Sequence, residues 1–334
     1  MIYGKAEKRI DAIIAQLKGR MTHELDISRN LVWKTTSTKR TYGDVPAGDE
    51  LKWKEIKEFP FEYGKPWANF WFSSDMDCGE LAKETEKDLY LELLTETDTM
   101  VYLDRKPQGA TNPFHPLLKL NPYIQGRTGN IEIMAESWGG HFFPGYHPSE
   151  GGRAMTAVAV KKKSYPLLFS RPRILAKNNG IWGLYYDALV LRGLSRTLDE
   201  KSLLYMKMVS TLHRSLLELD FSLADAELEE RAKRARAAIR PLLDARNGTI
   251  APQVISIGNA HLDHAWLWPI AETTRKAART ALNMTNYAIE FTDFSFMFTQ
   301  PVQMLAVRDQ YPSIYEKVLN AYKKGRWEPQ GASW

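Results

Sequence analysis

A chain of 334 residues exceeds the usual size of one hydrophobic core, so at least two domains are expected. Hydrophobic residues make up 44% and charged residues 25%, close to globular averages, which argues against a disordered or membrane-embedded protein. The formal charge of +5, from 45 basic and 40 acidic residues spread along the chain, is too diffuse to argue for nucleic acid. The single cysteine, Cys78, cannot form an internal disulfide, which fits a reducing compartment. The segment Met1 to Lys18 mixes Lys5, Lys8 and Arg9 with Glu7 and Asp11 and lacks the apolar run of a signal peptide. No stretch has the length of a membrane span, so a cytoplasmic protein without a membrane partner is expected. The sequons at Asn247 and Asn283 are then chance matches.

Along the chain, Ile10, Ile13, Ile14 and Leu17 recur at helical spacing and predict an amphipathic helix over about 5–19 that docks on something larger. From Trp33 to about Leu191 the pattern changes to short strands, as at Asn69–Phe72, Leu89–Leu93, Met100–Leu103, Ile131–Ala135 and Ala157–Val160. Arg105–Gly109 and Thr128–Asn130 between them carry turn chemistry, so an antiparallel β-sandwich is expected. Six tryptophans fall in it: Trp33, Trp53, Trp67, Trp71, Trp138 and Trp182. Exposed indoles could stack on sugars, but a sandwich core buries the same residues. The loop from Trp138 to His147 places His141 and His147 six apart, and irregular packing is preferred there over a metal pair.

Thr197 with Glu200 three residues later forms a capping-box pattern and predicts a helix through Leu203, Met206, Val209 and Leu216. A second helix is predicted from about Leu223 to Leu243, with Glu227, Glu229 and Glu230 set before Arg231, Lys233 and Arg234 as a solvated face. Pro241 is expected to kink or end it, and Asn247-Gly248 marks a boundary.

After Pro252 the order becomes strand, turn, helix. The apolar run Val254–Gly258 predicts a strand buried on both faces, and a helix follows Pro269. A second strand at Phe294–Phe298 leads through Pro301 into another helix, and a further helix over 313–324 closes at Gly325 before a third extended segment. This βαβαβ order predicts parallel strands at the start of an α/β barrel or open sheet. In such folds the site lies at the carboxyl ends of the strands, which brings His261, Asp263, Gln300 and Trp334 to one rim. A His and an Asp two apart in extended chain project the same way and can share one divalent cation such as zinc. The competing reading of the pair is a capping or hydrogen-bonding role.

The run Ile257-Gly258-Asn259-Ala260-His261-Leu262-Asp263-His264-Ala265-Trp266-Leu267-Trp268-Pro269, followed by Glu272-Thr273, Arg275-Lys276 and Arg279, closely resembles the opening signature of glycoside hydrolase family 38 α-mannosidases, particularly their cytosolic-type branch. The resemblance continues through Phe298-Thr299-Gln300, Tyr311-Pro312 and Gly325-Arg326-Trp327 to Gly331-Ala332-Ser333-Trp334, and extends more loosely to Gly64–Trp67 and Met100–Asp104. It implies that His261 and Asp263 bind zinc and that Trp266 forms part of the floor beneath a bound mannose, while Trp268 is read as core. It also implies that the nucleophilic Asp, the acid/base and a further His ligand fall beyond Trp334, so the chain is expected to be an N-terminal fragment, inactive alone, with weak or absent zinc.

The expected layout is thus a helical appendage over 1–30, a β-sandwich over 31–192, a helical linker over 193–250 and the first βαβαβ part of an incomplete α/β barrel over 251–334. The expected activity is metal-dependent, retaining hydrolysis of terminal α-mannosides in oligosaccharides. The partner is a mannose-containing oligosaccharide, and a homo-oligomer is compatible with the sequence. Two alternatives are a noncatalytic carbohydrate-binding sandwich protein and another zinc hydrolase acting on carbohydrate.

Overall fold

The computed structural model describes residues 2–38, 43–44, 51–64, 68–79, 81, 87–139, 167–246, 254–266 and 268–331. The chain opens with helix α1 (Ile2–Arg20), strand β1 (Thr22–Glu24) and a 3-10 turn (Asp26–Asn30). Strands β2 (Lys34–Thr38), β3 (Lys54–Glu55), β4 (Phe61–Tyr63), β5 (Asn69–Asp77), β6 (Leu89–Glu92), β7 (Thr99–Leu103), β8 (Lys106–Thr111) and β9 (Leu117–Lys119) follow. Next come the single turn α2 (Asn121–Ile124), then β10 (Asn130–Trp138), β11 (Leu167–Phe169) and β12 (Arg173–Lys177). Helices α3 (Asn179–Ser195), α4 (Leu203–Leu217) and α5 (Asp225–Leu243) complete the middle of the chain. The last part alternates β13 (Gly258–Asn259), α6 (Ile270–Glu290), β14 (Phe296–Phe298), α7 (Pro301–Gln310), α8 (Pro312–Lys323) and β15 (Trp327–Pro329). The class is therefore mixed α and β.

These elements gather into two compact units. The first comprises Met1–Leu25, Thr85–Tyr90 and Ile174–Val254. Its core is helical: Ile10, Ile14 and Leu17 of α1 meet Ile181, Leu184, Ala188 and Leu191 of α3, with matching stripes from α4 and α5. These residues recur every three or four positions, so each helix buries one face. Arg192 joins α3 to α1 through Glu7 at 2.6 Å and Asp11 at 2.8 Å.

The strand pattern predicts a sandwich running to residue 192, but Asn179–Ser195 is a helix. Helix α4 also begins later than the capping-box pattern predicts. Ser202, not Thr197, caps it, its Oγ accepting the Tyr205 N–H at 3.1 Å. Thr197 instead donates to the Leu194 carbonyl at the end of α3. Pro241 lies inside α5 without ending it.

The second unit comprises Asp26–Glu84, Leu91–Arg173 and Ile255–Trp334. Its frame is a six-stranded sheet in the order β3-β2-β5-β10-β7-β8, antiparallel throughout. Period-2 alternation splits neighbouring residues between its faces. Phe72 stacks on Phe169 of the antiparallel β4–β11 pair, ring centroids 4.0 Å apart, while Trp71 faces the other way. On that second face Trp71, Met100, Tyr102 and Met134 share one core with Phe296, Phe298, Tyr311 and Trp327. The sheet and the βα segment after residue 255 are thus layers of a single core. The two units change over at 25/26, 84/85, 90/91, 173/174 and 254/255. Strand Ala157–Val160 and the His141–His147 loop lie outside the described residues.

The expected βαβαβ order is present, with β13, β14 and β15 parallel. Its first strand is much shorter than predicted. Only Gly258 and Asn259 pair, and Val254 and Ile255 are exposed rather than buried on both faces. Val254 and Ile255 precede the paired residues, and among the described residues β13 pairs with β14 alone.

Candidate metal centre and its loop

The carboxyl end of β13 feeds a loop over 260–269 that carries every residue singled out for chemistry except Gln300 and Trp334. Asn259 Nδ2 donates to the Met297 carbonyl at 3.2 Å and ties the start of this loop to β14. His261 Nε2 and Asp263 Oδ1 then lie 3.1 Å apart, with side chains 77% and 45% exposed. Extended chain puts both groups on one side of the loop, and their donor atoms converge. One imidazole nitrogen beside one carboxylate oxygen, open to solvent, suits a divalent cation, which would take the place of the contact between them. Among the described residues no third His, Cys, Asp or Glu completes such a cluster.

Trp266 is 59% exposed. Its ring meets Trp268 edge to face, centroids 5.5 Å apart and planes at 90°. Trp268 is the anchored one of the two. Its Nε1–H donates to Thr273 Oγ1 at 3.0 Å, and Lys276 Nζ lies 4.8 Å from its ring centroid. Thr273 Oγ1 in turn donates to the His264 carbonyl at 2.5 Å. Gln303 Nε2 of α7 donates to the Leu262 carbonyl at 2.8 Å. Gln300 stands at the end of β14 as the cap residue of α7, and Trp334 lies outside the described residues.

Behind the loop, α6 buries charge. Glu272 is fully buried and accepts from Arg275 Nε at 2.7 Å and from Arg279 Nη2. Burial pushes the Glu272 carboxyl up, but Arg279, Arg275 and Lys276 outweigh it and hold the group below its ordinary range. Glu136 of β10, also buried, accepts from Asn69 Nδ2 at 3.1 Å. Burial there prevails over the attraction of Arg275 and Arg279, and its carboxyl is raised. Arg275 also covers the Trp138 ring at 5.4 Å. Lys276 pairs with Asp98, and these two, with Arg279, Asn283, Leu262 and Met284, line a cavity of mixed polar and apolar character of about 300 Å³.

The structure therefore brings His261 and Asp263 together and leaves Trp266 accessible on the same loop. Thr273, Gln303 and Glu136 have no role in the sequence reading. Thr273 is visible there as part of a matched motif, whereas nothing local marks Glu136 or Gln303 as neighbours of this loop.

Comparison with known proteins agrees with this region. Residues 251–334 match the Glycosyl hydrolases family 38 N-terminal domain. Alpha-mannosidase 2C1 of Homo sapiens is 22% identical over 282 residues, covering 81% of this chain and 25% of that protein. Alpha-mannosidase 2C1 of Mus musculus is 26% identical over 184 residues, covering 55% of this chain and 17% of that protein. An Alpha-mannosidase of Saccharomyces cerevisiae is 22% identical over 317 residues, covering 86% and 28%. The chain thus spans about a quarter of the length of the curated relatives it matches.

Proposed function

Taking residues 251–334 as a segment of a family 38 glycoside hydrolase, we propose that the chain belongs to a metal-dependent α-mannosidase acting on mannose-containing oligosaccharides. The observation that carries this reading is the 3.1 Å approach of His261 Nε2 to Asp263 Oδ1 at the carboxyl end of β13. In it, His261 and Asp263 are two of the ligands of a zinc or similar divalent ion, and Trp266 is part of the floor beneath a terminal mannose. His261 and Asp263 would hold the cation, which would supply a positive template for sugar hydroxyls. Trp266 presents an apolar face to the sugar and reduces water contact from below.

A retaining glycosidase also needs two carboxyls about 5 Å apart, one as nucleophile and one as acid/base. Neither role is proposed for any of the described residues, and a chain in which neither is filled would turn over no α-mannoside. A cytoplasmic setting fits Cys78, which is buried with its thiol pushed up by burial, and no helix among the described residues is long and apolar enough to cross a membrane. The sugar-binding sandwich is disfavoured by the burial of Trp33, Trp71 and Trp138.

The test is zinc titration of the chain and of His261→Ala, Asp263→Ala and Trp266→Ala, with methyl α-mannoside binding measured alongside. Either ligand substitution should abolish zinc binding. Trp266→Ala should leave zinc in place and weaken the sugar by on the order of 1 kcal/mol, the worth of an aromatic contact. Zinc binding that survives His261→Ala, or release of product from an aryl α-mannoside by the chain alone, would overturn the assignment.

A further inference from the structure

Three candidate ligand-contacting residues sit on one short loop, and two buried side chains from different helices hold that loop by its carbonyls. Thr273, on α6, is 1% exposed and uses both capacities of its hydroxyl: it donates to the His264 carbonyl at 2.5 Å and accepts the Trp268 indole N–H at 3.0 Å. Gln303, on α7 and also 1% exposed, donates to the Leu262 carbonyl at 2.8 Å. The two gripped carbonyls belong to the residues immediately before and after Asp263. Trp268, fixed by the same hydroxyl, is the ring against which Trp266 rests at 5.5 Å.

We infer that Thr273 is a positioning residue that couples the metal-binding half of the loop to its sugar-facing half, with Gln303 as the second grip on Asp263. The inference rests on the metal reading for His261 and Asp263 given above. His261 and Asp263 are exposed, so their own side chains find few packing constraints, and the orientation of the pair must come from the backbone beneath it. Pinning the carbonyl of residue 262 fixes the peptide plane that leads into residue 263, and pinning that of residue 264 restrains the chain one peptide beyond it, so the two together limit the direction of the Asp263 Cα–Cβ bond. The Thr273 hydroxyl, shared between that backbone and the Trp268 indole, transmits any displacement of one to the other. Thr273 touches neither metal nor sugar, and it acts through Asp263 and Trp266.

The experiment uses the full 334-residue chain with Thr273→Val, which keeps the shape but removes the hydroxyl, Thr273→Ser, which restores it, and Gln303→Met, which removes the second grip at similar volume. Two readouts are taken on each: zinc affinity by titration, and the ¹⁵N relaxation order parameters of the Trp266 and Trp268 indole N–H groups without metal. Thr273→Val should lower zinc affinity by about tenfold, the usual loss when a partner orienting a ligand is removed, and should lower the order of both indoles. Thr273→Ser should retain both properties. Gln303→Met should weaken zinc while leaving the indoles ordered. Wild-type zinc affinity and unchanged indole order in Thr273→Val would overturn the inference, as would a Thr273→Ser chain no better than Thr273→Val. Zinc binding insensitive to His261→Ala would defeat the metal reading instead, and the indole series would still decide whether Thr273 is the link.

Discussion

Glu272 shows how much a single buried carboxylate can hold in place. It is fully buried, with Arg275 and Arg279 bonded to it and themselves almost entirely buried. Replacing it with Gln removes the carboxylate bonded to both guanidiniums and leaves Arg279 with Asp98 at 3.9 Å, and removing one member of a buried pair costs about 3–5 kcal/mol. The pH dependence follows from the direction of its shift. Its folded-state carboxyl lies below the ordinary value of 4.5, so its contribution is complete above that pH and is lost as pH falls through the lowered value. The stability gap between wild type and Glu272→Gln should therefore be widest near neutral pH and should narrow below about pH 4.5 as protonation makes the wild-type side chain resemble the amide. Urea midpoints at pH 7 and in acid would check this, and a gap independent of pH would mean that packing rather than charge is responsible. At this scale the sequence is readable where neighbours in space are neighbours in the chain. His261 and Asp263 are legible because two residues of extended backbone fix their relation. Glu136 is not, since its approach to Arg275 and Arg279 depends on how β10 and α6 pack, which no local pattern encodes.

Legibility at the scale of elements follows periodicity. Helices α6 and α8 and the amphipathic α1 are readable because their apolar residues recur at helical spacing, and Gly325, at φ 67°, ends α8 as a left-handed cap should. Helix α3 is hidden because its exposed face also carries Tyr186, Leu189, Val190 and Leu194, which blurs the polar side of the pattern. The start of α8 depends on a partner no sequence window contains. Asp44 accepts the Ser313 backbone N–H at 2.6 Å and the Ser313 hydroxyl at 2.9 Å, so a distant carboxylate takes the place of a local cap. Gly43 sets up that approach. Its φ is 74°, and a Cβ there would lie 2.3 Å from the Gln310 carbonyl oxygen, a backbone atom that cannot step aside. Asp44→Ala should cost about 1 kcal/mol, the usual worth of a cap. Gly43→Ala should cost more, since left-handed strain alone is about 1–2 kcal/mol and the contact adds to it. Urea unfolding of the two variants would rank them, and a Gly43→Ala chain as stable as wild type would show that the 43–44 turn does not hold α8.

At the scale of the whole molecule, the strand pattern suggests a sandwich that closes before the helices begin, and the structure gives a physical reason to expect otherwise. Period-2 alternation predicts which side chains leave a sheet on each face, but it cannot say what covers them. Here one face is covered by the aromatic cluster around Phe169, and the other by residues that arrive more than a hundred positions later, among them Phe296, Tyr311 and Trp327. A chain ending at residue 250 would therefore leave Trp71, Met100, Tyr102 and Met134 without their partners. Exposing four such side chains forfeits roughly 6–12 kcal/mol at about 1.5–3 kcal/mol each. That is comparable with the entire stability of an ordinary domain, about 5–15 kcal/mol. Such a chain should keep much of its far-ultraviolet signal while losing near-ultraviolet tryptophan dichroism, bind the dye ANS, and lose the signal of its sheet tryptophans in urea without a sharp transition, the helical unit with its own core unfolding separately. The intact 334 residues should show the opposite on all three measurements. A cooperative transition without dye binding in the shortened chain would mean that the sheet closes its own core, and the shared layer of Trp71 and Tyr102 with Tyr311 and Trp327 would then be a contact of convenience rather than the basis of the fold.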